Sequence, residues 1–219
     1  DERFLKHPAL AIEQSRETIN AMADHTMVNI LEAVSLIKEF NPTLAQKVAE
    51  DEELIDKYED KLGTYLMKIN GSSLDTEQNH SLTRYLHTLS DFERISDHAV
   101  EVMKTAEELH DKKLKFSEEA QKEVAVLVGA LREIVEITFE AFSNGDVELA
   151  KKVEPLEQVI DGLAIKMRSN HITRLQAGTC TIELGFILSD ILNNFERISD
   201  HCSNIAVAVI EGETDGFDA

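Results

Sequence analysis

The heptapeptide FERISDH stands at Phe92–His98 and returns unchanged at Phe195–His201. In each copy a Glu precedes an Asp by four residues: Glu93 and Asp97, then Glu196 and Asp200. Residues four apart on an α-helix lie one above the other, with Cβ atoms about 6 Å apart. Each copy therefore stacks two negative charges on one helix face. That costs roughly 0.2–0.5 kcal/mol at an exposed site and more where the pair is half-buried. The flanking residues point to the half-buried case. Leu184, Leu188, Ile191, Phe195, Ile198, Cys202, Ile205 and Val209 alternate by threes and fours, the seam of a bundle helix. Phe92, Ile95, Ala99 and Val102 repeat it around the first copy. Glu196 adjoins Phe195 and Asp200 lies two before Cys202, so both carboxylates border the seam.

The duplication extends upstream. NPTLAQKVAEDEELID (41–56) aligns with DVELAKKVEPLEQVID (146–161), matching Leu44 with Leu149, Ala45 with Ala150, Ile55 with Ile160 and Asp56 with Asp161. The alignment exposes two further Glu-x-x-x-Asp pairs, Glu52/Asp56 and Glu157/Asp161. The expected architecture is all-α: two tandem three-helix repeats over 1–112 and 113–213, then a flexible tail over 214–219.

Punctuation places six helices. The first runs from Pro8 to Phe40. The second is capped by Asn41 with Pro42 at its first position, and Gly71 is expected to close it. The third spans about Asp75 to Leu109. Ser117 caps the fourth, Gly145 ends it and Asp146 starts the fifth, which Pro155 is expected to kink. The sixth runs from Thr179–Thr181 to about Val209.

Composition agrees, with 9 Gly, 3 Pro and no Trp in 219 residues. A formal net charge of −20 repels nucleic acid and anionic lipid headgroups, so cations are the natural partners. Two cysteines without metal-ligand spacing fit a reducing, cytoplasmic compartment. The longest apolar run, Val124–Leu131, is far too short to span a bilayer. The chain opens without Met, as a domain cut from a longer protein would.

A single Glu-x-x-x-Asp in an acidic helix is ordinarily a solvated face. Four pairs in repeat-equivalent places point to metal ligation by Glu52, Asp56, Glu93, Asp97, Glu157, Asp161, Glu196 and Asp200. Carboxylate-only sets favour Mg²⁺, Ca²⁺ or Mn²⁺, and carboxylate-bridged iron clusters also use them. The remaining heptapeptide residues have plainer readings. Arg94 and Arg197 are placed to form salt bridges with Asp97 and Asp200. His98 and His201 fall about 140° round the helix from the Glu and read as packing or capping groups. Asn193 and Asn204 flank the stripe as supports for the ligands, where the first repeat has Ser90 and Glu101. Cys202 reads as core. A di-iron enzyme would need inward Glu-x-x-His pairs. Glu77/His80 and Glu107/His110 have the spacing but lie near helix ends in polar surroundings.

Paired three-helix repeats with ERISDH in each third helix resemble the PhoU family over almost the whole chain. That resemblance implies Glu/Asp-x-x-x-Asp motifs holding multinuclear metal clusters, of iron, zinc, manganese, magnesium or calcium, at the eight carboxylates already named. Ser96 and Ser199 depart from it, since the family often has Gly before the last Asp. The stretches 1–22 and 174–206 are similar to the PhoU-like domain that follows the membrane segment of bacterial sodium/phosphate cotransporter-type proteins. The resemblance implies a non-enzymatic regulatory domain of phosphate uptake, on the cytoplasmic side of an inner-membrane parent. Its implied partners are a membrane transporter segment of the same or another chain, inorganic phosphate reached through bound metal, and further copies of itself. The alternatives are a free-standing PhoU regulator of a binding-protein-dependent (ABC) phosphate transporter and its sensor kinase, and, from another class, a metal-dependent oxidase or phosphatase.

Overall fold

The computed structural model describes residues 1–70 and 74–217, of which residue 70 and residues 213–217 by backbone alone. Gly71, the expected end of the second helix, lies outside the described residues. Among the described residues, a short 3-10 turn at Glu2–Lys6 is followed by seven α-helices. They are α1 (Pro8–Lys38), α2 (Pro42–Asn70), α3 (Thr76–Asp111), α4 (Glu118–Asn144), α5 (Val147–Ala150), α6 (Val153–Gln176) and α7 (Ile182–Phe217).

Helix ends follow the local chemistry. The Asn41 side chain accepts from the Thr43 and Leu44 amides at 2.9 and 3.2 Å. Asp75 and Gln78 form a reciprocal capping box at the start of α3. Ser117 accepts from the Ala120 amide, and Gly145 leaves α4 in the left-handed region at φ 62°. Asp146 then caps α5 through the Leu149 amide. The expected kink at Pro155 is a full break. Pro155 has no N–H to give the Lys151 carbonyl, so the chain stops at Ala150 and restarts at Val153, with Pro155 in the first turn of α6. One expected helix is therefore two, α5 and α6. At the other end, α7 continues past Val209 to Phe217.

Helices α1, α2 and α3 pack mutually, and α4, α6 and α7 do the same. The two bundles meet along α3 against α7, with α1 touching α4. The internal repeat thus maps α3 onto α7, and α2 onto α5 plus α6. The seam read from sequence is the core. Phe92, Ile95, Ala99 and Val102 are fully buried, as are Ile191, Phe195, Ile198, Cys202 and Ile205. Burial pushes the Cys202 thiol up to about 12, which leaves it a packing group. The Phe92 ring lies 5.5 Å from Phe139 and 5.1 Å from Phe142, both on α4, so the first heptapeptide anchors the second bundle.

The duplicated histidines join the two halves. His98 Nδ1 donates to Asn194 Oδ1 at 2.8 Å, and His201 Nδ1 donates to Asp91 Oδ1 at 2.9 Å. Asn204 adds a bond to the same Asp91 oxygen. The packing role expected for the histidines is realised across the α3–α7 seam, and Asn204 serves that seam. Neither Arg94 nor Arg197 makes an ion pair among the described residues; both point to solvent, and the expected bridges to Asp97 and Asp200 are absent.

The serines preceding the two aspartates behave differently. Ser96 Oγ donates to Asn29 Oδ1 at 2.9 Å, and Asn29 Nδ2 donates to the Val48 carbonyl at 2.9 Å, tying α1, α2 and α3 together. Ser199 Oγ is buried without a partner. Replacing Ser96 by Ala should cost about 1–2 kcal/mol, because Asn29 loses a donor in a buried site. Replacing Ser199 by Ala should be neutral or stabilising. Denaturant melts of the two variants check this, and an equal loss in both would refute it.

Candidate metal sites

In the second bundle the stripe of α6 meets the stripe of α7. One carboxylate oxygen each from Glu157, Asp161 and Asp200 lie within 4.8 Å of one another. Oxygens around a hard divalent cation sit about 2.1–2.4 Å from it, so donors on opposite sides are separated by about 4.2–4.8 Å. The trio therefore fits one such ion. Without a cation the crowding favours the protonated form of a carboxyl. Burial, then Asp161 and then Asp200, push the Glu157 carboxyl up to about 7. Glu196, the fourth expected ligand, turns aside. It pairs with Arg168 Nη1 at 2.7 Å, while Arg168 Nη2 donates to Asn193 Oδ1 at 2.7 Å. Asn193 thus supports the arginine.

The first bundle brings its four expected carboxylates into one field and adds a fifth. Burial, followed by the Asp97 carboxylate, pushes Glu93 up to about 7. Glu52 is raised by burial first, then by Asp97 and Asp56. Glu59 is raised by burial, then by Asp60, Asp56 and Asp97. Glu52, Asp56 and Glu59 follow an i, i+4, i+7 stripe on α2 that faces Glu93 and Asp97 on α3. The repeat does not mark Glu59, since Ala164 stands in the corresponding place; its seven-residue spacing from Glu52 is the signal the sequence offers. No three ligand atoms of this set converge as the second trio does, among the described residues. The set is spread wider than one ion's coordination shell.

The two Glu-x-x-His strings stay outside both clusters. Glu77 is in the first turn of α3, and His110, in its last turn, stacks on Phe40 with ring centroids 4.8 Å apart. Glu107 and His110 line an open hollow of about 540 Å³ beside the start of α2.

Two three-helix bundles related by an internal repeat, each with a carboxylate groove between its second and third helices, define the class of protein. The PhoU domain model matches residues 19–106 and again 127–209, once in each half, and the chain belongs to the PhoU family. It is 29% identical to phosphate-specific transport system accessory protein PhoU homolog 1 of Thermotoga maritima, over 84% of this chain and 78% of that protein. It is 24% identical to the Pseudomonas aeruginosa PhoU homolog, over 91% of this chain and 82% of that one. The crystal structure of PhoU from Pseudomonas aeruginosa superposes with a TM-score of 0.87 at 22% identity, covering 94% of this chain and 99% of the other. The phosphate transport system regulatory protein PhoU from Streptococcus pneumoniae superposes at 0.83 with 15% identity, covering 95% and 98%. No helix among the described residues is long and apolar enough to cross a membrane.

The raised carboxyls set a pH dependence. Between the ordinary 4.5 and about 7, the folded chain holds protons at Glu93 and Glu157 that the unfolded chain releases. Their contribution is therefore favourable below that window and is lost as pH rises through about 7. The melting temperature of metal-free protein should fall between about pH 5 and pH 8. The Glu93→Gln/Glu157→Gln double variant should flatten the fall. A fall of equal size in the double variant would exclude these two groups as its cause.

Proposed function

We propose that this chain is a regulatory, metal-binding PhoU protein of phosphate uptake rather than an enzyme. The observation that carries the reading is the match of both halves to the PhoU domain, supported by relatives named as accessory proteins of phosphate-specific transport systems. Those names favour the accessory regulator of a phosphate ABC transporter, with its sensor kinase, over the cytoplasmic domain of a sodium/phosphate cotransporter. Apolar runs of about twenty residues encoded upstream of Asp1 would restore the cotransporter setting.

The carboxylate grooves supply the chemical part of the reading. Glu157, Asp161 and Asp200 have the donor type and spacing for a hard divalent ion, and Glu52, Asp56, Glu59, Glu93 and Asp97 supply a wider set of the same donors. A bound ion would present positive charge, to inorganic phosphate or to a partner's acidic groups, on a chain of net charge −20. Contact with a membrane transporter segment would then depend on metal occupancy.

Two measurements test this. Elemental analysis of protein purified without chelators should find divalent metal, reduced in Asp97→Ala and in Asp200→Ala; unchanged content in both variants would count against the grooves as its site. In a strain lacking the gene, phosphate uptake should escape repression in phosphate-rich medium and be restored to control by the wild-type copy. Normal repression in that strain would defeat the regulatory reading.

A further inference from the structure

The repeat makes the two grooves comparable position by position. Seven residues beyond Asp56 stands Gly63; seven beyond Asp161 stands Arg168. Both places lie two helical turns along the carboxylate stripe, on the same face. In the second groove Arg168 is held at both ends of its guanidinium, by Glu196 and by Asn193, each at 2.7 Å. A fork fixed in this way is a stronger and more oriented partner than a mobile lysine. In the first groove nothing takes its place. A Cβ added to Gly63 would meet no atom within 4 Å. The space beside it is an open hollow of about 540 Å³ lined by Glu59, Asp60, Gly63, Thr64, Met67 and Lys68. Lys68 is already engaged by Glu2 at 2.7 Å. Of Glu52, Asp56, Glu59, Glu93 and Asp97, none makes an ion pair among the described residues.

We infer that Arg168 is a built-in counter-cation that narrows the second groove to the Glu157–Asp161–Asp200 trio, while Gly63 leaves the first groove open to additional divalent cations. The inference rests on the metal-binding reading above and assigns the two halves unequal metal capacity. A guanidinium fixed on Glu196 withdraws that carboxylate from ligation and repels a second cation beside it. The first groove keeps its Glu93 free of any such partner, adds Glu59, and opens to solvent on the Gly63 side. The ligands that the repeat duplicated are therefore divided between a single-ion position flanked by a fixed guanidinium and an open position of higher capacity.

The test is a Mn²⁺ titration of the full, chelator-stripped chain, read by reaction heat and by the spin-resonance signal of free Mn²⁺. Each groove is isolated by silencing the other, with Asp97→Asn for the first and Asp200→Asn for the second. With the first silenced, Arg168→Gln should raise the Mn²⁺ bound at saturation and tighten binding about tenfold, as expected for removal of a nearby positive charge. Arg168→Lys, which keeps the charge, should leave uptake near the starting level. With the second silenced, Gly63→Arg should weaken Mn²⁺ binding by the first groove about tenfold. The two substitutions lie in different halves, so a folding defect in one, seen by circular dichroism, leaves the other decisive. Normal Mn²⁺ uptake that neither Arg168→Gln nor Gly63→Arg alters would overturn the inference and leave the metal reading standing. Absence of Mn²⁺ uptake by the unaltered chain would overturn both.

Discussion

Mutual repulsion among half-buried carboxylates is the constraint around which this molecule is arranged. The stripes on α2 and α3, and on α6 and α7, bring like charges together beside an apolar seam, where water screens the half-buried members poorly, though Asp56 and Asp200 are exposed. Such crowding must be offset by a proton, a fixed cation or a bound ion. The arrangement favours the first remedy and contains the second. Glu93 and Glu157 are poised to retain protons up to about 7, and Glu196 is neutralised by Arg168. The third remedy is the one for which the oxygen spacing of Glu157, Asp161 and Asp200 is suited.

The bundle framework makes this crowding sustainable. The stripes of α3 and α7 are carried by helices whose adjoining face is locked into the core by fully buried Phe92, Ile95, Phe195 and Ile198. Relaxing the carboxylates by rotating a helix would expose those residues, at about 1.5–3 kcal/mol for each large side chain. The α3–α7 seam adds the bonds of His98 to Asn194 and of His201 to Asp91. The strain is therefore held locally, where an ion can relieve it.

The two halves share a plan and differ in detail. Asp91 in one half corresponds to Asn194 in the other, Glu59 to Ala164, and Gly63 to Arg168. Ser96 has a partner in Asn29, whereas Ser199 has none. These differences cluster around the grooves and the seam between halves, while the core positions of the heptapeptide stay identical. Packing requires the same shapes in both halves; the charges that border solvent are free to diverge.

Much of this was legible in the one-dimensional pattern. The doubled FERISDH, the three-four spacing of its apolar neighbours and the caps at Asn41, Ser117 and Asp146 set the helices, the repeat and eight carboxylate positions, because these depend on residues close in sequence. Pro155 announced a disturbance, and the loss of its amide hydrogen turned that into a break between α5 and α6. The partners across helices were decided by the tertiary structure alone. Arg168 reaches Glu196 over 28 residues, and His201 reaches Asp91 over 110. Arg94 and Arg197, within one turn of their expected partners, face solvent instead. Local spacing specifies which face a side chain occupies, but which charge it meets depends on how neighbouring helices are rotated, and that is settled only when the apolar seams of both bundles pack together.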